Sequence, residues 1–231
     1  MDRMRHDNWV NAISLHHGLA LFRELGGQLG ELSHLPAIPE SYEARASLND
    51  WLALLRRGTS IDPLFAWRAG ARAATHEHSP VSVLVGTAAT GLEALLTLVR
   101  YFPCVTNAYN WEVERRPDGA ALVRVCGAAQ EHELAVAYDV ADICAEANRM
   151  TGTVGLVQIA WAGAAQRSAG DYRAILGVEP VFDAPMSGVL IPELLLTAPM
   201  PAARPGVRRF VEPELEALLA ACQRTQTLRS G

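Results

Sequence analysis

Residues 109–125, with the sequence YNWEVERRPDGAALVRV, contain the clearest local pattern in this chain. Over 109–114, apolar residues alternate with polar ones, which is the period of a β-strand with one buried face. The turn sequence PDG follows at 117–119, and the apolar run 122–125 comes next as a partner strand. The segment therefore predicts an antiparallel β-hairpin near the middle of the chain.

Helices are predicted on both sides of the hairpin, because apolar residues recur there at spacings of three and four. Ser41 is the expected N-cap of a helix over 44–55, and Thr90 that of the helix just before the hairpin. The predicted helices are 9–25, 44–55, 63–74, 92–102, 131–150, 171–176 and a short one over 194–196. The further strands are 156–161, 181–182 and 189–191, and 81–85 fits either element. This order indicates an α+β fold, with a helical N-terminal part followed by a small antiparallel sheet with packed helices.

The chain is expected to form one large domain, a linker and a tail helix. Residues 1–198 are assigned to the domain, and 199–211 to the linker, because Pro and Ala dominate its start. Residues 212–231 are assigned to the tail helix, which carries an apolar stripe of Leu215, Leu218 and Leu219. The stripe fits contact with a second copy and packing onto the chain's own domain equally well.

The charge of the chain argues against direct contact with DNA. The formal net charge is −5, and the sequence has no basic block that could form a phosphate-binding face. All 20 basic residues are arginine, and lysine is absent. The chain therefore cannot form a Schiff base with pyridoxal phosphate or place a P-loop lysine against nucleotide phosphates.

The cysteines and the apolar segments indicate a cytoplasmic protein without a membrane partner. The four cysteines are widely spaced and form no CxxC motif, so reduced thiols are expected. The N-terminus lacks the apolar region of a signal peptide, and no apolar run reaches the length of a membrane span.

No motif points to catalysis, a cofactor or a metal. The patterns G-x-S-x-G and G-x-G-x-x-G are absent. His76-Glu77-His78 could place two imidazoles on one face of a strand, as in some zinc sites, but no third ligand is in view. A polar loop is the favoured interpretation, and we expect neither a cofactor, nor a metal, nor enzymatic activity.

Aromatic residues around the hairpin form the candidate ligand site. Ligand pockets combine apolar walls with a few polar groups, and this region offers both. The candidate ligand-binding residues are Arg100, Tyr101, Asn107, Tyr109, Trp111, Trp161 and Phe182. Ordinary core between a helix and the sheet is the alternative interpretation of the same aromatic residues.

Four stretches of the chain, in order, carry a resemblance to a known family. They are FRELG at 22–26 with Leu32 and Ile38-Pro39, TGLEAL with VRY at 90–101, MTG with VQIA at 150–160, and ILGVEPVF at 175–182 with the leucines up to 195. Together they resemble the N-terminal ligand-binding or dimerisation domain, called arabinose-binding-like, of AraC-type transcription regulators. The resemblance covers roughly residues 20–200.

The resemblance implies a regulatory domain of a bacterial transcription regulator. The chain departs from the family pattern at Trp161 and Ser187, where a histidine and an asparagine are usual, so ligand contacts at those positions are not implied. The family normally continues with two helix-turn-helix units, for which no residues follow position 231. We expect either a free-standing sensor domain or a fragment cut after the linker, without direct DNA contact by this chain.

Three functional hypotheses follow from the sequence. The first is a sensor and dimerisation domain, a homodimer whose conformational equilibrium a small-molecule effector shifts. The second is a free-standing structural or antagonist interaction module without a ligand. The third, from another class, is a small hydrolase or lyase that uses histidine and carboxylates.

Overall fold

The computed structural model describes residues 8–32, 35, 44–73, 79–127, 131–201 and 203–230. The strands in these ranges are β1 (Trp9–Asn11), β2 (Arg45–Ser47), β3 (Tyr109–Arg115), β4 (Ala121–Gly127), β5 (Gln158–Ala160) and β6 (Gly188–Ile191). The helices are α1 (Ala12–Glu24), α2 (Leu48–Thr59), α3 (Phe65–Ala73), α4 (Pro80–Gly86), α5 (Gly91–Tyr101), α6 (Glu133–Thr151), α7 (Ala169–Leu176), α8 (Glu193–Thr197) and α9 (Pro205–Ser230). The predicted α+β class is confirmed. None of the described helices is both long and apolar enough to cross a membrane.

The predicted hairpin is confirmed and forms one edge of the larger sheet. β3 and β4 pair antiparallel from Tyr109 opposite Gly127 to Arg115 opposite Ala121. The turn contains Gly119 at φ 82°, a left-handed conformation that glycine adopts without strain. The strand order is β3-β4-β6-β5, and every neighbouring pair is antiparallel. The strand predicted at 181–182 is reduced to a single bridge with Ala160.

The N-terminal segment departs from the prediction, since β1 and β2 pair as a two-stranded ribbon before α1 and α2 begin. The helix predicted over 44–55 starts later, because Ser47 caps α2 and its Oγ accepts a hydrogen bond from the Asp50 backbone N–H at 3.1 Å. The predicted cap Ser41 lies outside the described residues. The run 81–85 belongs to a helix, α4. The pairing of β1 with β2, two segments far apart in the sequence, determines where α1 and α2 begin. Local periodicity does not reveal such pairing.

α6 is the central helix of the fold and packs against α3, β4 and β6. Most of its residues are buried. α3 approaches α6 closely because Gly70 lies at the contact, where a Cβ atom would stand 2.0 Å from the Tyr138 carbonyl oxygen. Gly152 at φ 65° then ends α6. This packing fixes the position of the polar side chains that α6 carries.

α9 begins at Pro205, inside the segment predicted as a linker, and continues through most of the predicted tail helix. It packs against α4 and a 3₁₀ turn at Phe102–Cys104. Leu215 and Leu219 are buried in an apolar cluster with residues of α4 and α5. Part of the predicted leucine stripe therefore packs on the chain's own domain, whereas Leu218 is 42% exposed.

Candidate ligand-binding site

A cavity of about 470 Å³ lies beside α6, within the usual size range of small-molecule sites. Its walls come from β1, α1, α4, β3, α6, α9 and the turn Phe102–Cys104. Ser14 and His17 of α1 face the same space as Leu215 and Leu218 of α9. The cavity therefore forms only when both ends of the described chain pack against its centre.

Aromatic side chains form one wall of the cavity. The alternation along β3 places Tyr109 and Trp111 on the same buried face. Their ring centroids lie 5.4 and 4.8 Å from that of Phe102, respectively. Trp9 adds a fourth ring, and the Arg45 guanidinium carbon lies 4.1 Å from its centroid. This wall suits the flat or apolar part of a small molecule.

Polar side chains of α6 form a second wall. Tyr138, Asp142 and Glu146 recur every four residues and Arg149 follows, so all four line the cavity from one helix face. Arg149 donates hydrogen bonds of 2.9 and 2.5 Å to the two carboxylate oxygens of Glu146, so these two charges compensate each other. Burial raises the pKa of the Asp142 carboxyl well above its ordinary value, the charge of Glu146 raises it further, and Arg149 opposes this.

A second carboxyl, that of Asp139, lies one turn before Asp142 and is fully buried. Neither of its oxygens makes a short, well-aligned hydrogen bond among the described residues, and the Tyr109 hydroxyl lies near it. Burial and the charge of Asp142 raise its pKa well above the ordinary value, and hydrogen bonding from the nearby Tyr109 hydroxyl lowers it. Tyr109 thus connects the aromatic wall to a carboxyl in the core.

α9 closes the cavity with Leu215, Leu218 and Cys222. The Cys222 thiol lies beside the Cys104 thiol of the 3₁₀ turn. Burial is the main cause that raises the pKa of Cys104 to about 12, and the charge and hydrogen bonding of Cys222 add to the increase. This thiol is therefore protonated at neutral pH, and it marks the contact between the turn and α9.

Polar contacts hold α9 against α5. Arg208 of α9 lies 2.9 Å from a Glu93 carboxylate oxygen of α5. Glu216 of α9 lies 2.6 Å from the Arg100 guanidinium and accepts a hydrogen bond from the Tyr101 hydroxyl. The helix that closes the cavity is thus attached to the rest of the protein at several separate points.

The structure divides the seven candidate residues into four groups. Tyr109 and Trp111 line the cavity. Arg100 and Tyr101 contact α9 instead. The Asn107 Oδ1 accepts a hydrogen bond of 2.6 Å from the Trp9 backbone N–H and so anchors β1.

The fourth group, Trp161 and Phe182, belongs to a separate aromatic cluster. Trp161 packs edge-on against Trp67, with 4.7 Å between ring centroids. Phe182 packs against Tyr172 at 5.0 Å. Neither residue is among the described residues that line the cavity.

Sequence reasoning did not identify the polar wall of α6 or the contribution of α9. The available signal was the recurrence of Tyr138, Asp142 and Glu146 every four residues along a helix that is otherwise largely apolar. Charged residues inside such a helix face solvent or a site, and the sequence does not show which.

Metal-ligating groups do not converge in the part of the chain that the structure describes. No set of three or more His, Cys, Asp or Glu side chains is arranged there to hold a metal ion. His76-Glu77-His78 lies outside the described residues.

Comparison with known proteins gives one family and one fold. A family model described as the N-terminal arabinose-binding domain of AraC transcription regulators matches residues 33–200. No curated protein sequence matches the chain. Among solved structures, the transcriptional regulator CdpR from Pseudomonas aeruginosa has a similar fold, with a TM-score of 0.50 and 16% sequence identity. The alignment covers 76% of this chain and 64% of that one.

Proposed function

We infer a sensor function from one premise: the chain belongs to the family of N-terminal arabinose-binding domains of AraC transcription regulators. It is therefore a regulatory domain. The matched residues include α2 to α8 and most of the cavity walls. We propose that the cavity beside α6 binds a small-molecule effector and that this binding is the signal that the domain detects.

The observation that supports this proposal most strongly is the composition of the cavity walls. α6 and β3 supply fixed walls from the core, whereas α9 supplies a wall from a helix that packs on the surface of the domain. A molecule in the cavity would contact both. Its binding energy would then depend on the position of α9, which is the condition for shifting a conformational equilibrium.

We further propose that the domain forms a homodimer in which α9 takes part. Phe210 of α9 is 70% exposed, and Val207 one turn earlier is exposed as well. Leu96 of α5 is also exposed and lies one turn after Glu93, the partner of Arg208. Exposed apolar side chains favour association when they form a common patch. An effector that moves α9 would then alter the dimer and, in a full-length regulator, the spacing of its DNA-binding modules.

The sensor function can be tested with a thermal-shift screen against amines, amino acids, sugars, organic acids and aromatic alcohols. Leu218→Trp places a large side chain at a position that lines the cavity, and Leu194→Trp makes the same change at an exposed position of α8 outside it. At least one compound should stabilise the wild type and Leu194→Trp but not Leu218→Trp. The same compound should change the rate at which a thiol reagent labels Cys222.

The proposal fails if no compound in the screen stabilises the wild type. It also fails if every stabilising compound acts equally on Leu218→Trp, since binding would then take place elsewhere.

The homodimer is tested by light scattering coupled to size-exclusion chromatography. The wild type should elute with twice the mass of one chain, and Phe210→Ser should shift the equilibrium towards monomer. Val154→Ser is a matched control, because Val154 is an exposed apolar residue just after the end of α6, whereas α9 packs against α4 and the turn Phe102–Cys104. A monomeric wild type at high micromolar concentration would contradict this part of the proposal.

A further inference from the structure

Four charged side chains line the cavity among the described residues: the arginines Arg45 and Arg149, and the carboxyls Asp142 and Glu146. Arg149 binds Glu146 through both carboxylate oxygens. Arg45 is exposed and lies over the Trp9 ring. Asp142 is therefore the lining carboxyl that neither arginine binds directly.

Buried charge of this kind needs a partner of opposite sign. A carboxylate without a partner in a low-dielectric site is strongly disfavoured, whereas a charge-assisted hydrogen bond to an ammonium or guanidinium group stabilises it. An anionic ligand would face Asp142 and gain no benefit from Arg149, which Glu146 already engages. The charge distribution thus favours a cation in the cavity.

The aromatic wall supports the same ligand chemistry. Cations bind favourably over the faces of Trp, Tyr and Phe, and the rings of Tyr109, Trp111 and Phe102 meet at the cavity.

We propose that the effector is a small organic cation, an amine or guanidine with an apolar body. Its charged group binds the Asp142 carboxylate, and its body lies against Tyr109 and Trp111. This assignment rests on the proposed sensor function, because it names the ligand class of the same cavity.

The test is a charge series of nearly identical shape, measured by titration calorimetry on the whole chain. Phenylalaninol is the cation, 3-phenyl-1,2-propanediol its neutral counterpart and 3-phenyllactate its anion, with agmatine as a guanidinium and L-arabinose as a sugar. At least one of the two cations should bind at least tenfold more tightly than the diol, the anion and the sugar. Asp142→Asn should weaken that cation by about tenfold or more, the loss expected for a charged hydrogen bond.

Asp183→Asn is the matched control. Asp183 is exposed, is not among the described residues that line the cavity, and has φ 54°, a conformation that asparagine tolerates as well as aspartate. This variant should bind the cation like the wild type. Circular dichroism and melting curves establish that both variants are folded before their affinities are compared.

The outcomes separate this inference from the sensor function. If the diol or arabinose binds as tightly as the cations, and Asp142→Asn leaves affinity unchanged, the cationic ligand is wrong while an effector cavity remains. If the anion binds best, the charge argument is wrong. If none of the five compounds binds, the assignment of a cation is contradicted, and the broader screen of cavity ligands decides the sensor function separately.

Discussion

Asp139 and Asp142 place two carboxyls inside the protein within one turn of α6. Asp139 is fully buried and Asp142 lines the cavity. Polar groups buried without partners reduce stability, so their presence in a central helix is expected where function requires them. The dependence of stability on pH shows which of these two carboxyls is ionised in the folded protein.

Asp139→Asn should stabilise the protein at neutral pH. The pKa of Asp139 is raised above its ordinary value of 3.8, so between pH 3.8 and the raised value the folded protein binds more protons than the unfolded chain. The free energy of unfolding of the wild type therefore falls as pH rises through that window. Removing the titration should raise the free energy of unfolding at pH 7 and flatten its fall with pH, as measured by urea unfolding at several pH values.

Asp142 on the same helix and Tyr109 from β3 face the Asp139 carboxyl. Because Asp142 still titrates in Asp139→Asn, part of the dependence of stability on pH remains in that variant. Asp183→Asn, at the exposed surface, should leave the curve of stability against pH unchanged. An Asp139→Asn protein that is less stable than the wild type at pH 7 and equal to it at pH 4 would mean that the folded protein stabilises the ionised carboxylate.

Helix packing positions the polar face of α6 at the scale of the elements. α3 and α6 are in close contact at Gly70. The 2.0 Å between a Cβ atom at position 70 and the Tyr138 carbonyl oxygen leaves no room for a side chain on α3. The backbone of α6 cannot move aside as a flexible side chain would.

Gly70→Ala should lower the free energy of unfolding by about 2 kcal/mol or more, because overpacking against backbone forces the helices apart. Gly86→Ala, in α4, is the control, since nothing lies within 4 Å of the added Cβ. That substitution should be neutral or stabilising by up to about 1 kcal/mol, as expected for glycine in a helix. Thermal or urea unfolding distinguishes the two, and equal effects would refute the close approach.

Ser47→Ala tests where α2 begins. The side chain of Ser47 accepts the Asp50 N–H, so its loss should cost about 1 kcal/mol. Ser60→Ala removes an exposed hydroxyl at the other end of α2 and should cost less. If Ser47→Ala has no effect on urea unfolding, the cap is misplaced.

Sequence predicts elements well where the determining contacts are local. The hairpin 109–125 is one such case, because its alternation and its turn lie within a single segment. The start of α2 is not, since it follows from pairing between β1 and β2 across the chain. Trp161 joined the candidate site on residue type alone, and only its packing against Trp67 reveals a separate cluster. A cavity wall built from α6 and α9 requires knowledge of how distant helices meet.

The whole molecule consists of a core around α6 and a helix, α9, that covers one side of a cavity in it. The contacts of α9 are of two kinds: burial of Leu215 and Leu219, and polar bonds to α5 through Arg208 and Glu216. Exposed ion pairs contribute little individually, so the apolar contacts hold the helix and the polar ones fix its orientation. A ligand in the cavity can therefore change the position of α9.

Glu216→Gln should loosen α9 without unfolding the core. The variant weakens the contacts to Arg100 and Tyr101, so the thiol of Cys222, which lies on the buried side of α9, should react with a thiol reagent several-fold faster. Glu214→Gln alters an exposed carboxylate of the same helix and should leave the labelling rate unchanged. The part of the labelling signal that is lost in Cys222→Ser is the part that comes from the Cys222 thiol.

Hydrogen–deuterium exchange with and without saturating phenylalaninol tests the central claim most directly. If the cavity binds a small cation and its occupancy is sensed by α9, the ligand should slow exchange in α6, β3 and α9 together and leave α7 unchanged. Protection confined to α6 and β3, with α9 exchanging at the same rate in both samples, would contradict the coupling on which the account depends.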